Sequence, residues 1–302
     1  MKVIEQTHRV KKSKKSAFPF LEADAAVYFE LAKGFSPESA VGASPERVQG
    51  VSSQDGVRVS EEEYWAIYYH DPDFNYEWNN GLLEEKPMAD YLSFEMYRWF
   101  FALLQEYLQT SPLAKMIGLD IGFRLALPDK TSIRRPDLAL IRHSNPVPIT
   151  AEECTYRGIF DLCIEFLSDS KPGEATRDTV VKKLEYGQAG VAEYFILDRK
   201  GAETAFYRLN VRGGYAPISA QPGGIIRSEV LPGFQFRLED LYRHPPLLEK
   251  VNDRVYRAFI LQDYQAACQR AEAERQRAET AEQRAEKLAA KLRALGIDPE
   301  TP

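Results

Sequence analysis

Apolar residues recur at helical spacing from Ala89 to Gln109: Tyr91, Phe94, Met96, Trp99, Phe100, Leu103, Leu104, Tyr107 and Leu108. This spacing predicts a long amphipathic helix whose aromatic stripe belongs to a core. Before it, Ser60-Glu61-Glu62-Glu63 reads as a capped, acid-led helix start. Tyr76-Glu77-Trp78 and Leu82-Leu83-Glu84-Glu85 flank Asn79-Asn80-Gly81, a hairpin signature, since Asn and Gly tolerate the positive φ of a tight turn. After the helix the pattern changes to short apolar runs. Strands are expected over Ile121–Leu127, Arg134–Arg142, Ile159–Ser168 and Glu193–Asp198, with a turn at Pro128-Asp129-Lys130. A helix is expected over Glu174–Gln188, with Gly187 and Gly190 near its end, and a hairpin over Ala205–Leu209 and Tyr215–Ile218.

Both ends differ from this middle. Residues 1–59 form an ill-defined N-terminal arm, with a basic cluster, Lys11-Lys12-Ser13-Lys14-Lys15, that reads as solvated, and a Ser/Gly/Val-rich loop over Ser36–Gly56. Residues 60–250 carry the alternating strands and helices. Residues 251–302 form a C-terminal part in which Tyr264–Leu295 lacks Pro and Gly and is rich in Ala, Glu, Arg and Gln. There a heptad seam runs through Tyr264, Ala267, Ala271, Glu274, Ala278, Ala281, Ala285, Leu288, Leu292 and Leu295, before Gly296 and Pro299 stop the helix. With alanine at most seam positions, self-association and a single solvated helix are both open.

Composition narrows the function classes. A formal net charge of −6 argues against a generally basic nucleic-acid binder but leaves room for local contacts. Cys154, Cys163 and Cys268 have no metal-ligand spacing and suit a reducing cytoplasm. The four histidines are too scattered for a His-based zinc site. No secretory leader or membrane-spanning run is expected. Gly213-Gly214 and Gly223-Gly224 lack the Gly-Lys-Ser/Thr of a phosphate loop, and no Ser-His-Asp or Cys-His arrangement stands out.

What remains is a carboxylate in an unusual place. Glu165 sits in the apolar run Ile164-Glu165-Phe166-Leu167, where burial is costly without a partner. Asp137 lies in the strand-like run Arg135-Pro136-Asp137-Leu138-Ala139-Leu140. If the two strands are neighbours and both acids point to one face, their oxygens converge on a single Mg²⁺ or Mn²⁺. A metal there would stabilise phosphate charge and acidify a bound water, and a nearby lysine would assist that water. Such a lysine commonly stands two residues after the second acid. Leu167 occupies that place, so the following helix must supply Lys182 or Lys183. Lys182 shares a face with Tyr186, whereas Lys183 is rotated about 100° away toward solvent.

These segments, with Asp161 through Ser168 and Lys182 through Asp198, resemble the Uma-two family of bacterial endonucleases. Tyr76–Leu108 and the tail ending Leu295-Gly296-Ile297-Asp298-Pro299 are also similar to it. The resemblance implies an α/β, restriction-endonuclease-like fold of the PD-(D/E)XK superfamily: a mixed central sheet flanked by helices, plus a coiled-coil-like C-terminal helix. It implies Asp137, Glu165 and Lys182 as catalytic residues, with Asp137, Glu165 and the Phe166 carbonyl as metal ligands. A further acid from the N-terminal part stays open among Glu77, Glu84 and Glu95, because Met88-Ala89-Asp90-Tyr91 has no histidine. The implied partner is nucleic acid, with DNA foremost, and a homodimer through the tail is compatible with it. The competing expectation is an inactive nuclease-like scaffold that recruits a partner through its C-terminal helix.

Overall fold

The computed structural model describes residues 52–86, 89–118, 121–168 and 173–295, with only the backbone of 263 and 264. The basic cluster at 11–15, most of the expected arm and the Gly296/Pro299 stop lie outside the described residues. The described residues fall within one compact unit, Ser52–Pro302.

Along the chain, α1 (Glu61–Glu63) runs into a π-helical turn, Tyr64–Tyr68. The Ser60 side chain caps it by accepting from Glu63 N at 3.1 Å. Strands β1 (Tyr76–Asn79) and β2 (Leu82–Glu85) form the expected hairpin, with Asn80 and Gly81 at φ 48° and 96°. Helix α2 (Tyr91–Thr110) is capped by Asp90. Strands β3 (Ala114–Gly118), β4 (Gly122–Ala126), β5 (Thr131–Arg134), β6 (Leu138–Arg142), β7 (Thr155–Tyr156) and β8 (Leu162–Phe166) follow. A helical crossover comes next: α3 (Glu174–Thr176), a π-helical segment (Arg177–Lys182) and α4 (Lys183–Ala189). Then come β9 (Glu193–Leu197), β10 (Ala205–Leu209), β11 (Tyr215–Pro217), β12 (Ile225–Arg227) and β13 (Gln235–Arg237). Short helices α5 (Asp240–Arg243) and α6 (Leu247–Asn252) precede α7 (Gln262–Ala294).

The fold is mixed α/β. One sheet has the order β2-β1-β5-β4-β7, the other β11-β10-β9-β8-β6-β3, and β12 pairs with β13. In the larger sheet β8 and β9 are parallel, as the intervening helical crossover allows, and their neighbours are antiparallel. Alternation along its central strands sorts side chains onto two faces. Leu138, Leu140, Leu162, Ile164 and Phe195 join the core under α2; Ala139, Ile141, Cys163, Tyr194 and Ile196 join the core under the crossover. The first core extends to Val255, Tyr256, Phe259 and Ile260.

Some expectations need correcting. The single strand expected over Arg134–Arg142 is two strands in different sheets, β5 and β6. Pro136 explains the break: it cannot donate to a ladder and disfavours the helical region for Arg135, so the chain crosses from one sheet to the other at Arg135-Pro136-Asp137. Strands β3, β7, β12 and β13 were not anticipated; β7, β12 and β13 have only two or three residues, too few to show a period, and β3, Ala114-Lys115-Met116-Ile117-Gly118, has neither a β-branched run nor a clear alternation. Tyr91 and Phe94, placed in the core stripe of α2, are 71% and 49% exposed; the buried apolar stripe starts at Met96, after the first turn. Helix α7 forms as expected, with its described side chains almost entirely exposed.

Gly122 faces this crossing. A Cβ there would lie 2.9 Å from Arg135 Cγ and 3.0 Å from the Arg134 carbonyl oxygen. Gly122→Ala is expected to lower stability by about 1–3 kcal/mol through overpacking, read as a shifted urea midpoint at unchanged slope.

Candidate active site

The register Leu138↔Ile164, extended by one residue, sets Asp137 opposite Glu165. Both acids thus belong to the face of Ala139 and Cys163, toward the crossover helix. Asp137 Oδ2 accepts from the Phe166 backbone N–H at 2.8 Å, pinning the Asp137 turn to the end of β8. Glu165 is 1% exposed, and its Oε1 accepts from Lys182 Nζ at 3.0 Å and from the Tyr186 hydroxyl at 2.9 Å. Lys182 and Tyr186, one helical turn apart, therefore reach the same carboxylate oxygen. Gly190, at φ 93°, ends that helix and takes carbonyls of Tyr186 and Gly187, which fixes its last turn. Leu167, on the same strand face as Glu165, packs in the apolar core under the crossover.

Lys182 is itself 1% exposed. Its ammonium lies 3.0 Å from Glu165 Oε1, 3.1 Å from Glu77 Oε1 and 3.0 Å from Asp178 Oδ1. An ammonium has three N–H donors, and three carboxylates surround this one. Burial works to depress Lys182, but Asp178, Glu165 and Glu77 outweigh it and hold the lysine charged well beyond its ordinary range. Glu77 also accepts from the Arg135 backbone N–H at 2.8 Å and pairs with Arg134. Burial works to raise Glu77, yet Lys182 and Arg134 keep it well below the usual carboxylate range. Glu165 goes the other way: burial, with the neighbouring Asp137 and Asp178 carboxylates, pushes it up to about 8 against the pull of Lys182.

Behind this group Arg134 is fully buried. It binds Glu185 through two nitrogens at 2.6 and 2.9 Å and also meets Glu77 and Glu84. In front, Lys86 Nζ donates to Asp137 Oδ1 at 2.8 Å and to the Arg135 carbonyl. Asp137, Glu165, Lys182 and Phe166 all line one cavity of about 520 Å³.

Of the open acids, the structure brings Glu77 to Lys182. Glu84 reaches the group only through Arg134, and Glu95 is away from it, paired with Arg98. Lys183 is not at the acids; its ammonium lies 4.0 Å over the Tyr207 ring, because the next helical position points elsewhere. Lys86, Asp178 and Arg134 were missed by sequence reasoning. Asp178 had a usable signal, standing one helical turn before Lys182; Lys86 and Arg134 had none.

Among the described residues no group of three or more His, Cys, Asp or Glu side chains is arranged to hold a metal. The two carboxylates nevertheless suit magnesium, which takes one or two carboxylates and fills its other positions with water and substrate phosphate. Both acids are hard oxygen donors; Oε1 of Glu165 already accepts from Lys182 and Tyr186, so Oε2 is the oxygen that could meet a cation.

The contrast between two adjacent lysines is testable. Lys182→Ala removes the cation that Glu165, Asp178 and Glu77 share, with Arg134 still at Glu77, and should cost about 3–5 kcal/mol in chemical denaturation. Lys183→Ala removes one partly exposed cation–π contact and should cost no more than about 1 kcal/mol.

No curated protein matches the sequence. A solved structure described as a "putative nuclease belonging to DUF820 from Anabaena variabilis" is similar at 14% identity, with a TM-score of 0.49, over 62% of this chain and 98% of that one. Residues 61–239, more than half of the chain, match the family model Uma2, "Putative restriction endonuclease", and the chain belongs to that family.

Proposed function

We propose that the protein is a metal-dependent endonuclease that hydrolyses phosphodiester bonds, with DNA as its foremost substrate. The observation that carries this reading is the facing pair Asp137 and Glu165 at the wall of one cavity, with cations Lys86 and Lys182 on either side. Asp137, Glu165 and the Phe166 carbonyl would hold Mg²⁺ or Mn²⁺. When bound, such an ion supplies charge stabilisation at the phosphate and acidifies a water.

The chain's own residues do the rest. Tyr186 and Lys182 hold Glu165 Oε1, so that the carboxylate keeps one orientation. Lys182 assists the attacking water through Glu165, since carboxylates already surround its ammonium. Lys86 holds Asp137 from the cavity side. A cytoplasmic setting fits three unpaired cysteines, and no helix among the described residues is long and apolar enough to cross a membrane. The exposed seam of α7 suits pairing with a second copy.

Asp137→Asn and Glu165→Gln should each lower the cleavage rate by about 10³-fold or more in Mg²⁺ or Mn²⁺, with unchanged circular dichroism. A wild-type protein that cuts no duplex, single-stranded or branched nucleic acid with either metal would overturn the reading. Truncation after Leu261 should leave a cleaving monomer where the full chain sediments as a dimer. A full-length monomer would remove the pairing role of α7.

A further inference from the structure

The cavity that holds the acids is not walled like a groove for a phosphate backbone. Phe74, Phe94, Tyr97 and Phe166 line it together with Asp137 and Glu165. Phe94 stands on the first turn of α2, 49% exposed, with Tyr91 and Leu92 more exposed still beside it. Tyr97 is braced by Phe101, stacked at 5.9 Å between ring centroids, and by Phe166, edge-on at 5.1 Å. Apolar rings left in water next to a charged site mark a contact surface, and a volume of about 520 Å³ is that of a pocket for a small organic group.

From this we infer that the aromatic wall is a subsite for an unpaired nucleobase next to the scissile phosphate, and that the substrate is single-stranded or locally unpaired nucleic acid. The inference rests on the nuclease reading above. In a continuous duplex each base is covered by its neighbours and offers only edges, whereas an unstacked base offers a π-face to Phe94 or Tyr97. Beside the acids Lys86 and Lys182 are tied to carboxylates, which leaves the aromatic rings as the contact this wall offers a substrate. Arg177 also lines the cavity. Its Nη1 donates to the Glu85 carbonyl at 3.0 Å.

The test uses full-length protein and two probes: an oligonucleotide with one unpaired 2-aminopurine, and the same sequence fully paired. Binding is followed in Ca²⁺ by anisotropy and by 2-aminopurine fluorescence, and cleavage in Mn²⁺. The unpaired probe should bind about 10-fold tighter or more, with its fluorescence quenched by stacking. Phe94→Ala should remove the quenching and most of that preference, and Phe94→Trp should keep both. Equal binding of the two probes, or no effect of Phe94→Ala, overturns the subsite even if duplex is cleaved and the nuclease reading stands. Quenching and preference without any cleavage keep the subsite and remove the nuclease reading. No binding of either probe with no cleavage removes both.

Discussion

A single buried lysine ties together the parts of this fold that meet at the cavity. Lys182 comes from the crossover helix, Glu77 from the hairpin strand β1, and Glu165 from the central strand β8; its ammonium touches both acids and Asp178. Arg134, one residue before the chain crosses between sheets, extends the same network to Glu185 on α4. Taking this many charges out of water is costly, and a buried ion pair is poor evidence of net stability by itself. Its effect is selective. Any arrangement that separates the hairpin, the crossover and β8 leaves a charged group unpaired in the interior, so the network discriminates strongly between this packing and its alternatives.

That shared lysine also divides the labour between its carboxylates. Glu77 has Arg134 and a backbone N–H in addition to Lys182, and is held firmly ionised. Glu165 has Tyr186 in addition to Lys182, but it faces Asp137 and Asp178, and its pKa rises to about 8. The two acids differ because positive charge is concentrated on the Glu77 side. On the cavity side each acid has one lysine, Lys86 at Asp137 and Lys182 at Glu165, and Lys182 is shared with Glu77 and Asp178, so Glu165 has less positive charge to itself than Glu77 has.

Much of this was legible in the sequence, and the exceptions follow a pattern. Asn79-Asn80-Gly81 announced the hairpin because a tight turn needs positive φ and few residues provide it. Lys182 with Tyr186 followed from the helical turn, a local period, whereas a shared face for Asp137 and Glu165 stood only as a condition, because it depends on the pairing of β6 with β8. Arg134 was read as the first residue of a strand running to Arg142, whereas it ends β5 in one sheet and the next strand lies in another. Its burial among Glu77, Glu84 and Glu185 depends on tertiary pairing that no local window contains. Lys86 was hidden for the same reason: it meets Asp137 across 51 positions of chain.

The position of the lysine has a consequence for chemistry. On strand β8 the residue two after Glu165 lies on the same face, and a lysine there would stand beside the acid along the strand. Leu167 fills that position with apolar packing. Lys182 reaches Glu165 from the helix instead, and it is enclosed by carboxylates on arrival. In the proposed nuclease reading, a lysine so enclosed would act through the carboxylate it orients, as a positioning residue. The cation at Asp137, on the other side of the acid pair, is Lys86, whose N–H donors go to Asp137 Oδ1 and the Arg135 carbonyl. Moving the charge from strand to helix thus separates two tasks, orienting Glu165 and neutralising Asp137, and assigns them to lysines nearly a hundred residues apart in the chain.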